Sequence, residues 1–201
     1  MINMASKDLE KNTRKADYDI NPLMLNRWSP RAMSGEEISD EDLMRLFEAA
    51  RWAPSSYNGQ PWRFIYAKRN TQYWDTLFNL MASINQTWAK NAAVLVVIVS
   101  RKNFEFNEKP SITHQFDSGS AWENLALQAE TQQLVTHGMQ GFDYEKARKD
   151  LSIPDNFDVM AMVAIGKPAP KEILPSQLQQ KEEPSDRKPL SELIMEGRFR
   201  T

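Results

Sequence analysis

Two arginines flank a serine in the segment RWSPR at positions 27–31. Proline disfavours helical backbone at the residue before it, so Ser29 is expected to be extended, and alternate side chains of an extended segment share one face. Arg27, Ser29 and Arg31 would then point the same way. Guanidinium groups bind phosphate through paired, charge-assisted hydrogen bonds, which makes the segment a candidate anion site. The alternative is a solvated basic turn paired with nearby Glu36 and Glu37.

A second candidate is the loop APSSYNGQP at positions 53–61. Ser55, Ser56, Asn58 and Gln60 offer both donors and acceptors, which suits a polyhydroxylated or heteroaromatic ligand better than a metal ion. Loops on a rigid scaffold are where binding residues concentrate. The alternative is that these residues only form a turn, with Asn-Gly as the turn dipeptide and proline ending it.

His137 is a candidate proton donor, because histidine is the side chain that ordinarily titrates nearest neutral pH. Its expected position at the end of an apolar helix suits a structural role equally well, with a ring nitrogen capping the helix. His114 has no motif around it. Cysteine is absent, which excludes thiolate nucleophiles, disulfides and cysteine metal ligands.

Hydrophobic periodicity predicts the elements that must position these residues. Helices are expected over 39–54, where a capping box begins the element, and over 74–88, 118–137 and 144–151. Strands are expected over 62–67, 92–100 and 159–166. The second of these, AAVLVVIVS, is apolar on both faces and predicts a central strand. The Pro-rich stretch 167–188 predicts a crossing segment, and the more apolar tail beyond it should dock, for example on another subunit.

Composition limits the class of protein. A chain of 201 residues suits one domain, and 25 basic against 27 acidic residues, a net charge of −2, argues against nucleic acid as a partner. The longest apolar run is far shorter than the roughly 20 residues that span a bilayer, and the N-terminus lacks a signal-peptide core, so a cytoplasmic protein without a membrane partner is expected. Strands separated by helices predict a layered α/β or α+β domain. No G-x-G-x-x-G or P-loop pattern is present, which excludes those nucleotide folds.

Taken in order, five motifs resemble the nitroreductase family of flavoproteins. They are R-x-S-x-R, EAARWAPSSYNGQPWRF, GSAWENLALQA, HGMQGFD and VAIGKP, and the resemblance runs from about Met24 to the tail. It implies an α+β, three-layer sandwich with a central mixed sheet flanked by helices, in an intertwined homodimer that binds FMN at the subunit interface. Residues 1–20 would be an N-terminal arm or peripheral helix. Residues 21–201 would form a single FMN-binding domain, whose C-terminal extension from about 167 wraps the partner subunit.

The resemblance also implies roles for residues. Its cofactor-binding set is Arg27, Trp28, Ser29, Arg31, Pro54, Ser55, Ser56, Asn58, Gln60, Gln140, Gly141 and Arg187. Within this set, Arg27, Ser29 and Arg187 match positions at the FMN phosphate and ribityl chain, and Arg31 matches a basic position near the pyrimidine edge. The polar loop would reach the cofactor from the partner subunit, and Gln140 and Gly141 would lie beside flavin N5 and O4.

The implied function is hydride transfer from NADH or NADPH through FMN to nitroaromatic, quinone or similar acceptors, by a ping-pong mechanism. Flavin N5 would carry the chemistry, with no catalytic side chain and no metal. A fixed cation at Arg31 would raise the reduction potential of the flavin by stabilising its reduced, anionic form. Many relatives carry Glu where this chain has Gln140, so the charge near N5 differs. Two alternatives are a flavin-binding or storage protein of the same fold without NAD(P)H turnover, and a structural dimer that has lost the cofactor.

Overall fold

A computed structural model describes residues 14–200. One sheet contains four strands in the spatial order β1-β2-β4-β3, and these are β1 (Trp62–Lys68), β2 (Val94–Arg101), β3 (Val135–Met139) and β4 (Phe157–Gly166). The α-helices are α1 (Pro22–Asn26), α2 (Asp40–Arg51), α3 (Trp74–Phe78), α4 (Ser83–Ala89), α5 (His114–Thr131), α6 (Tyr144–Asp150), α7 (Ser176–Gln179) and α8 (Leu190–Leu193). None of these helices has the length and apolar character needed to cross a membrane.

The central strand β2 divides the molecule into three layers. Side chains alternate along a strand, and those of Leu95, Val97 and Val99 join a core with α3, α4 and α6. Val94, Val96 and Ile98 point the other way, into a second core with α2 and α5. The predicted central strand and the α+β, three-layer architecture are therefore confirmed.

The sheet is antiparallel at each of its strand pairs in the described part of the chain, so the expected mixed sheet is wrong there. The chain beyond β4 leaves the sheet instead of adding to it. The Ser34 N–H donates to the Lys167 carbonyl at 3.0 Å, and the Ala169 N–H donates to the Ala32 carbonyl at 3.1 Å. Prolines at positions 168 and 170 remove N–H groups that a further strand would need.

The helix predicted over 118–137 is wrong at both ends. α5 starts at His114 and stops at Thr131, and Gln133 then takes a left-handed conformation with φ of 56°. Val135 and Thr136 are β-branched, which lowers helix propensity, and they enter β3, where the strand gains a ladder with β4. Tertiary pairing thus prevails over the apolar periodicity that favoured a longer helix.

The helix predicted over 74–88 is divided into α3 and α4. The backbone between the two helices pairs with the chain that follows β3. The Asp143 N–H donates to the Leu80 carbonyl and the Ala82 N–H donates to the Gly141 carbonyl, both at 2.9 Å. This break fixes the position of Gly141, one of the residues of the implied site.

Candidate functional site

Helix α1, which the sequence patterns did not predict, positions Arg27. Pro22 occupies the first turn, where its missing N–H costs nothing, and the Asn21 side chain caps the helix by accepting the Leu23 N–H at 2.9 Å. The helix ends at Asn26, and Arg27 follows with extended angles of φ −59° and ψ 124°. The extended segment predicted from Pro30 therefore begins at Arg27.

Three guanidinium groups gather at the start of this segment. Arg27 is 14% exposed, and its Nη1 lies 3.4 Å from the Ser29 hydroxyl. Arg14 donates from Nη1 to the Arg27 carbonyl at 2.9 Å and from Nε to the Ser185 carbonyl at 2.8 Å. Arg187 donates to the same Ser185 carbonyl at 3.1 Å. Arg14 thus links Arg27 to Ser185, the residue that Arg187 also contacts.

The charges of this cluster affect one another. Burial lowers the pKa of Arg14, and the guanidiniums of Arg187 and Arg27 lower it further, while Asp186 opposes them. Arg27 also forms an ion pair with Glu123 at 3.7 Å. Like charges at close range are unfavourable unless an anion lies between them, so the cluster has the chemistry of a phosphate site.

Arg31 lies at the other end of the extended segment and meets a buried acid. Its Nη1 is 3.5 Å from Oε2 of Glu182. The other carboxylate oxygen of Glu182 accepts the N–H groups of Arg31 at 2.5 Å and Ala32 at 2.8 Å. The alternative partner Glu36 instead forms an ion pair with Lys167 at 2.8 Å.

His137 lies in β3, so the expectation that it ends a helix is wrong. Its Nδ1 is 3.2 Å from the Pro30 carbonyl, and its ring packs on Trp88 with centroids 4.7 Å apart. Burial lowers the pKa of His137 below its ordinary 6.5 and the positive charge of Arg31 lowers it further, against the hydrogen bonds to the backbone of Pro30 and Ser29. The neutral ring therefore donates from Nδ1 and holds the extended segment against the sheet, which is the structural role.

This pKa makes stability depend on pH in a definite direction. The unfolded state takes up the His137 proton at a higher pH than the folded state, so the free energy of unfolding should fall as pH drops below about 6.5. His137→Asn keeps a donor for the Pro30 carbonyl but does not titrate. We expect urea unfolding between pH 7.5 and 5.5 to show a smaller loss for this variant than for the wild type. An equal loss of unfolding free energy in the wild type and in His137→Asn would contradict the lowered pKa of His137.

The polar loop is held in a strained conformation by its own hydrogen bonds. Tyr57, Asn58 and Gln60 have φ values of 52°, 53° and 45°, and each such residue costs on the order of 1 kcal/mol or more. The Ser55 hydroxyl accepts the Gln60 N–H at 3.1 Å. The Gln60 side chain donates to the Asn58 carbonyl at 3.0 Å. The side chains of Ser55 and Gln60 therefore stabilise the turn, which is the structural role given above as the alternative to ligand binding.

Two side chains of the loop stay available to a ligand. Neither the Ser56 hydroxyl nor the Asn58 amide hydrogen-bonds to any residue between 14 and 200. The backbone of the loop is anchored to α5 by the buried Asp117, which accepts the Ser56 N–H at 3.1 Å. Pro54, near the start of the loop, is exposed.

Within one chain, the loop and the arginine cluster face different directions. Asp117, which holds Ser56, and Glu123, which pairs with Arg27, both lie on α5. At ordinary helical rise and twist they are separated by roughly 9 Å along the axis and about 120° around it. No hydrogen bond or ion pair within the described residues joins the loop to Arg27.

Gln140 and Gly141 follow the end of β3. The Gly141 carbonyl accepts the Asn85 side-chain amide at 3.0 Å, and a Cβ at this position would lie 2.8 Å from that nitrogen. The Gly141 N–H donates to no described residue, and the Gln140 side chain is exposed. Glycine thus allows close packing on α4 and leaves one backbone donor unused.

An aromatic group adjoins the polar loop. Tyr57 is 82% exposed and meets Phe104 edge-on with ring centroids 5.6 Å apart, and Phe104 lies 5.2 Å from Phe106. The two phenylalanines belong to a short turn closed by a bridge between Asn103 and Pro110. A Cβ at Gly59 would be 3.1 Å from the Phe104 ring, so this turn rests directly on the loop.

Comparison with known proteins decides the family. The family model described as the nitroreductase family matches residues 24–167. The chain belongs to the nitroreductase family. A crystal structure described as an oxidoreductase containing FMN is similar to it, with 44% identity and a TM-score of 0.90 over 100% of this chain and 99% of that one.

Other nitroreductase relatives are more distant. A protein of Archaeoglobus fulgidus, provisionally named NADH dehydrogenase/NAD(P)H nitroreductase, is 29% identical over 73% of this chain and 83% of its own. A provisionally named nitroreductase from Desulfovibrio desulfuricans, solved in complex with FMN, is 26% identical with a TM-score of 0.70 over 90% of this chain and 100% of that chain.

Three residues of the candidate site were not indicated by the sequence. Arg14 falls in a charged arm without periodicity, and Glu182 falls in the Pro-rich stretch, so neither has a local signal. Asp117 lies one residue before the start of the predicted helix. Its contact with the loop became evident only because α5 begins earlier, at His114. In contrast, Trp28 was included and is half-buried within the extended segment.

Proposed function

We propose that the chain is a homodimeric, FMN-dependent oxidoreductase that takes electrons from NADH or NADPH and passes them to nitroaromatic, quinone or similar acceptors. The observation that carries the proposal is the arginine cluster, where Arg14, Arg27 and Arg187 gather beside the hydroxyls of Ser29 and Ser185. This donor set fits a phosphate monoester. The relatives described as containing FMN support the same ligand.

The remaining residues have roles that follow from their places along the segment. Arg27, Ser29 and Arg187 would hold the phosphate and the ribityl chain, with Trp28 contributing main-chain contacts. Arg31 would lie near the pyrimidine edge, and the unused Gly141 N–H, next to Gln140, would orient the ring at N5. When bound, FMN supplies the two-electron chemistry, and these side chains bind and orient it.

The second subunit completes this site. Because the loop and Arg27 contact different sides of α5 and share no hydrogen bond or ion pair within the described residues, we infer that Ser56 and Asn58 of the partner subunit would reach the cofactor, with Pro54, Ser55 and Gln60 shaping that loop. The tail beyond Arg187 is exposed along its length, including Leu193, Ile194 and Phe199. Exposed apolar side chains of this kind favour burial against another chain. We infer that the extension from about 167 wraps the partner.

The aromatic group supports flat, unsaturated acceptors. Tyr57, Phe104 and Phe106 lie beside the loop that would deliver Ser56 and Asn58, so an acceptor at the cofactor would meet aromatic faces. Aromatic rings stack on one another with a gain of about 0.5–1.5 kcal/mol beyond burial. Nitroaromatics and quinones share this shape.

Spectroscopy of the purified protein tests the proposal. We expect the yellow colour of bound FMN, bleaching on anaerobic addition of NADPH or NADH, and return of colour when a quinone or nitroarene is added. Parallel double-reciprocal plots would support the ping-pong order. A yellow protein that neither nicotinamide bleaches would instead favour the storage function. A colourless protein that takes up no FMN would show that the cofactor has been lost.

A further inference from the structure

Glu182 is a buried acid with a place in the site that neither the sequence motifs nor the comparisons assign. It is 4% exposed and lies between α7 and the cluster residue Arg187, in the extension that follows β4. Its Oε1 accepts two consecutive backbone N–H groups, those of Arg31 at 2.5 Å and Ala32 at 2.8 Å. The extension is thereby attached to the segment that carries Arg31.

The second carboxylate oxygen has a different environment. Oε2 is buried and accepts no hydrogen bond within the described part of the chain, and its charged neighbour is Nη1 of Arg31 at 3.5 Å. A buried carboxylate oxygen without a hydrogen bond is costly. Anchoring the two N–H groups needs only one acceptor oxygen, which the amide of glutamine would also supply. The attachment alone therefore does not account for the negative charge.

We propose that Glu182 is a positioning residue that orients Arg31 and offsets its charge, so that FMN bound there is harder to reduce than it would be beside an unpaired arginine. The proposal rests on the proposed function, which places Arg31 at the pyrimidine edge. Reduction by NAD(P)H adds negative charge at N1 and O2 on that edge. A carboxylate 3.5 Å from the guanidinium cancels much of the field that would stabilise this charge.

The consequence concerns which acceptors the protein serves. A lower reduction potential makes the reduced cofactor a stronger reductant. It therefore extends the range of acceptors toward those that are hard to reduce, among them nitroaromatics. On this proposal Arg31 still raises the potential, and Glu182 reduces the size of that effect by offsetting part of the charge of Arg31.

The experiment measures the reduction potential of bound FMN in the wild type and in Glu182→Gln, by equilibration with reference dyes. Gln keeps an acceptor for the N–H groups of Arg31 and Ala32 and removes the charge. We expect the equilibrium to shift about tenfold toward the reduced form, which is about 30 mV for a two-electron couple. The matched control is Glu183→Gln, the same change at an exposed neighbour, which should leave the potential unchanged.

A second substitution keeps the test decisive if Glu182→Gln does not fold. Arg31→Gln leaves the carboxylate of Glu182 uncompensated, so the potential should fall, again by about tenfold in the equilibrium. If both single variants fold, their double variant should return toward the wild-type value, as expected for two residues that interact.

The outcomes separate this proposal from the one on which it rests. A wild-type protein that takes up no FMN overturns both, and this is seen before any substitution is made. Full FMN content with an unchanged potential in Glu182→Gln and Arg31→Gln overturns the role of Glu182 alone. Loss of FMN from Glu182→Gln without any change in the potential of the flavin that remains would show a purely structural role and would also overturn it.

Discussion

Replacing Arg27 by alanine is expected to weaken FMN binding about 10- to 150-fold. A hydrogen bond to a charged group contributes about 1.5–3 kcal/mol, and the Arg27 side chain is mostly buried. The remaining guanidiniums of Arg14 and Arg187 would still attract phosphate, so binding is weakened and not abolished. Titration of the apoprotein with FMN, followed by quenching of flavin fluorescence, measures the dissociation constant.

Arg45→Ala is the control for this substitution. Arg45 is also an arginine, but it lies on the exposed face of α2 and pairs with Glu41 and Asp42 of the same helix. Surface pairs of this kind contribute little to stability, so Arg45→Ala should bind FMN as the wild type does. If Arg27→Ala and Arg45→Ala bind FMN with equal affinity, Arg27 does not contact the phosphate.

Replacing Trp88 by alanine is expected to lower the free energy of unfolding by about 3–5 kcal/mol. Trp88 lies on α4, is 1% exposed and is among the largest fully buried side chains of the core that contains α3, α4 and α6. Its ring also packs on His137, which holds the Pro30 carbonyl. The loss combines the transfer of apolar surface with a cavity that neighbouring side chains fill only in part. Urea unfolding at fixed protein concentration and saturating FMN measures it, because bound ligand and subunit association both shift apparent stability.

Trp52→Ala is the matched change at the surface. Trp52 is 72% exposed and donates its ring N–H to Glu48 at 2.8 Å. It buries little apolar area, and we expect a loss below about 1 kcal/mol. A loss for Trp88→Ala no larger than that for Trp52→Ala would contradict the position of Trp88 in the core.

The parts of the fold that the sequence predicts are those in which local pattern and tertiary environment agree. The run of β2 is apolar on both faces because both faces are covered, and Ser39 starts α2 by accepting the Asp42 N–H at 3.0 Å. β3 was not predicted, because Val135 to Met139 is short, contains glycine and adjoins a helix of similar apolar spacing. Its conformation depends on pairing with β4, which lies more than twenty positions later along the chain.

The candidate site divides in the same way. Pro30 sets the backbone of its neighbours, so the extended segment with Arg27 and Arg31 could be inferred from adjacent residues alone. Glu182 meets Arg31, and Arg14 meets Ser185, across separations for which the sequence holds no periodic signal. The polar loop combines both cases, because Ser55 and Gln60 shape the turn locally while Asp117 holds it from α5.

A crystal structure of the protein grown or soaked with excess FMN tests the central claim most directly. We expect two copies to enclose the cofactor, with its phosphate within hydrogen-bond distance of Arg27 and Arg187 of one protomer and its ring approached by Ser56 of the partner subunit. A cleft without flavin density and with Arg27 turned to solvent, or FMN bound wholly within one chain, would contradict the account.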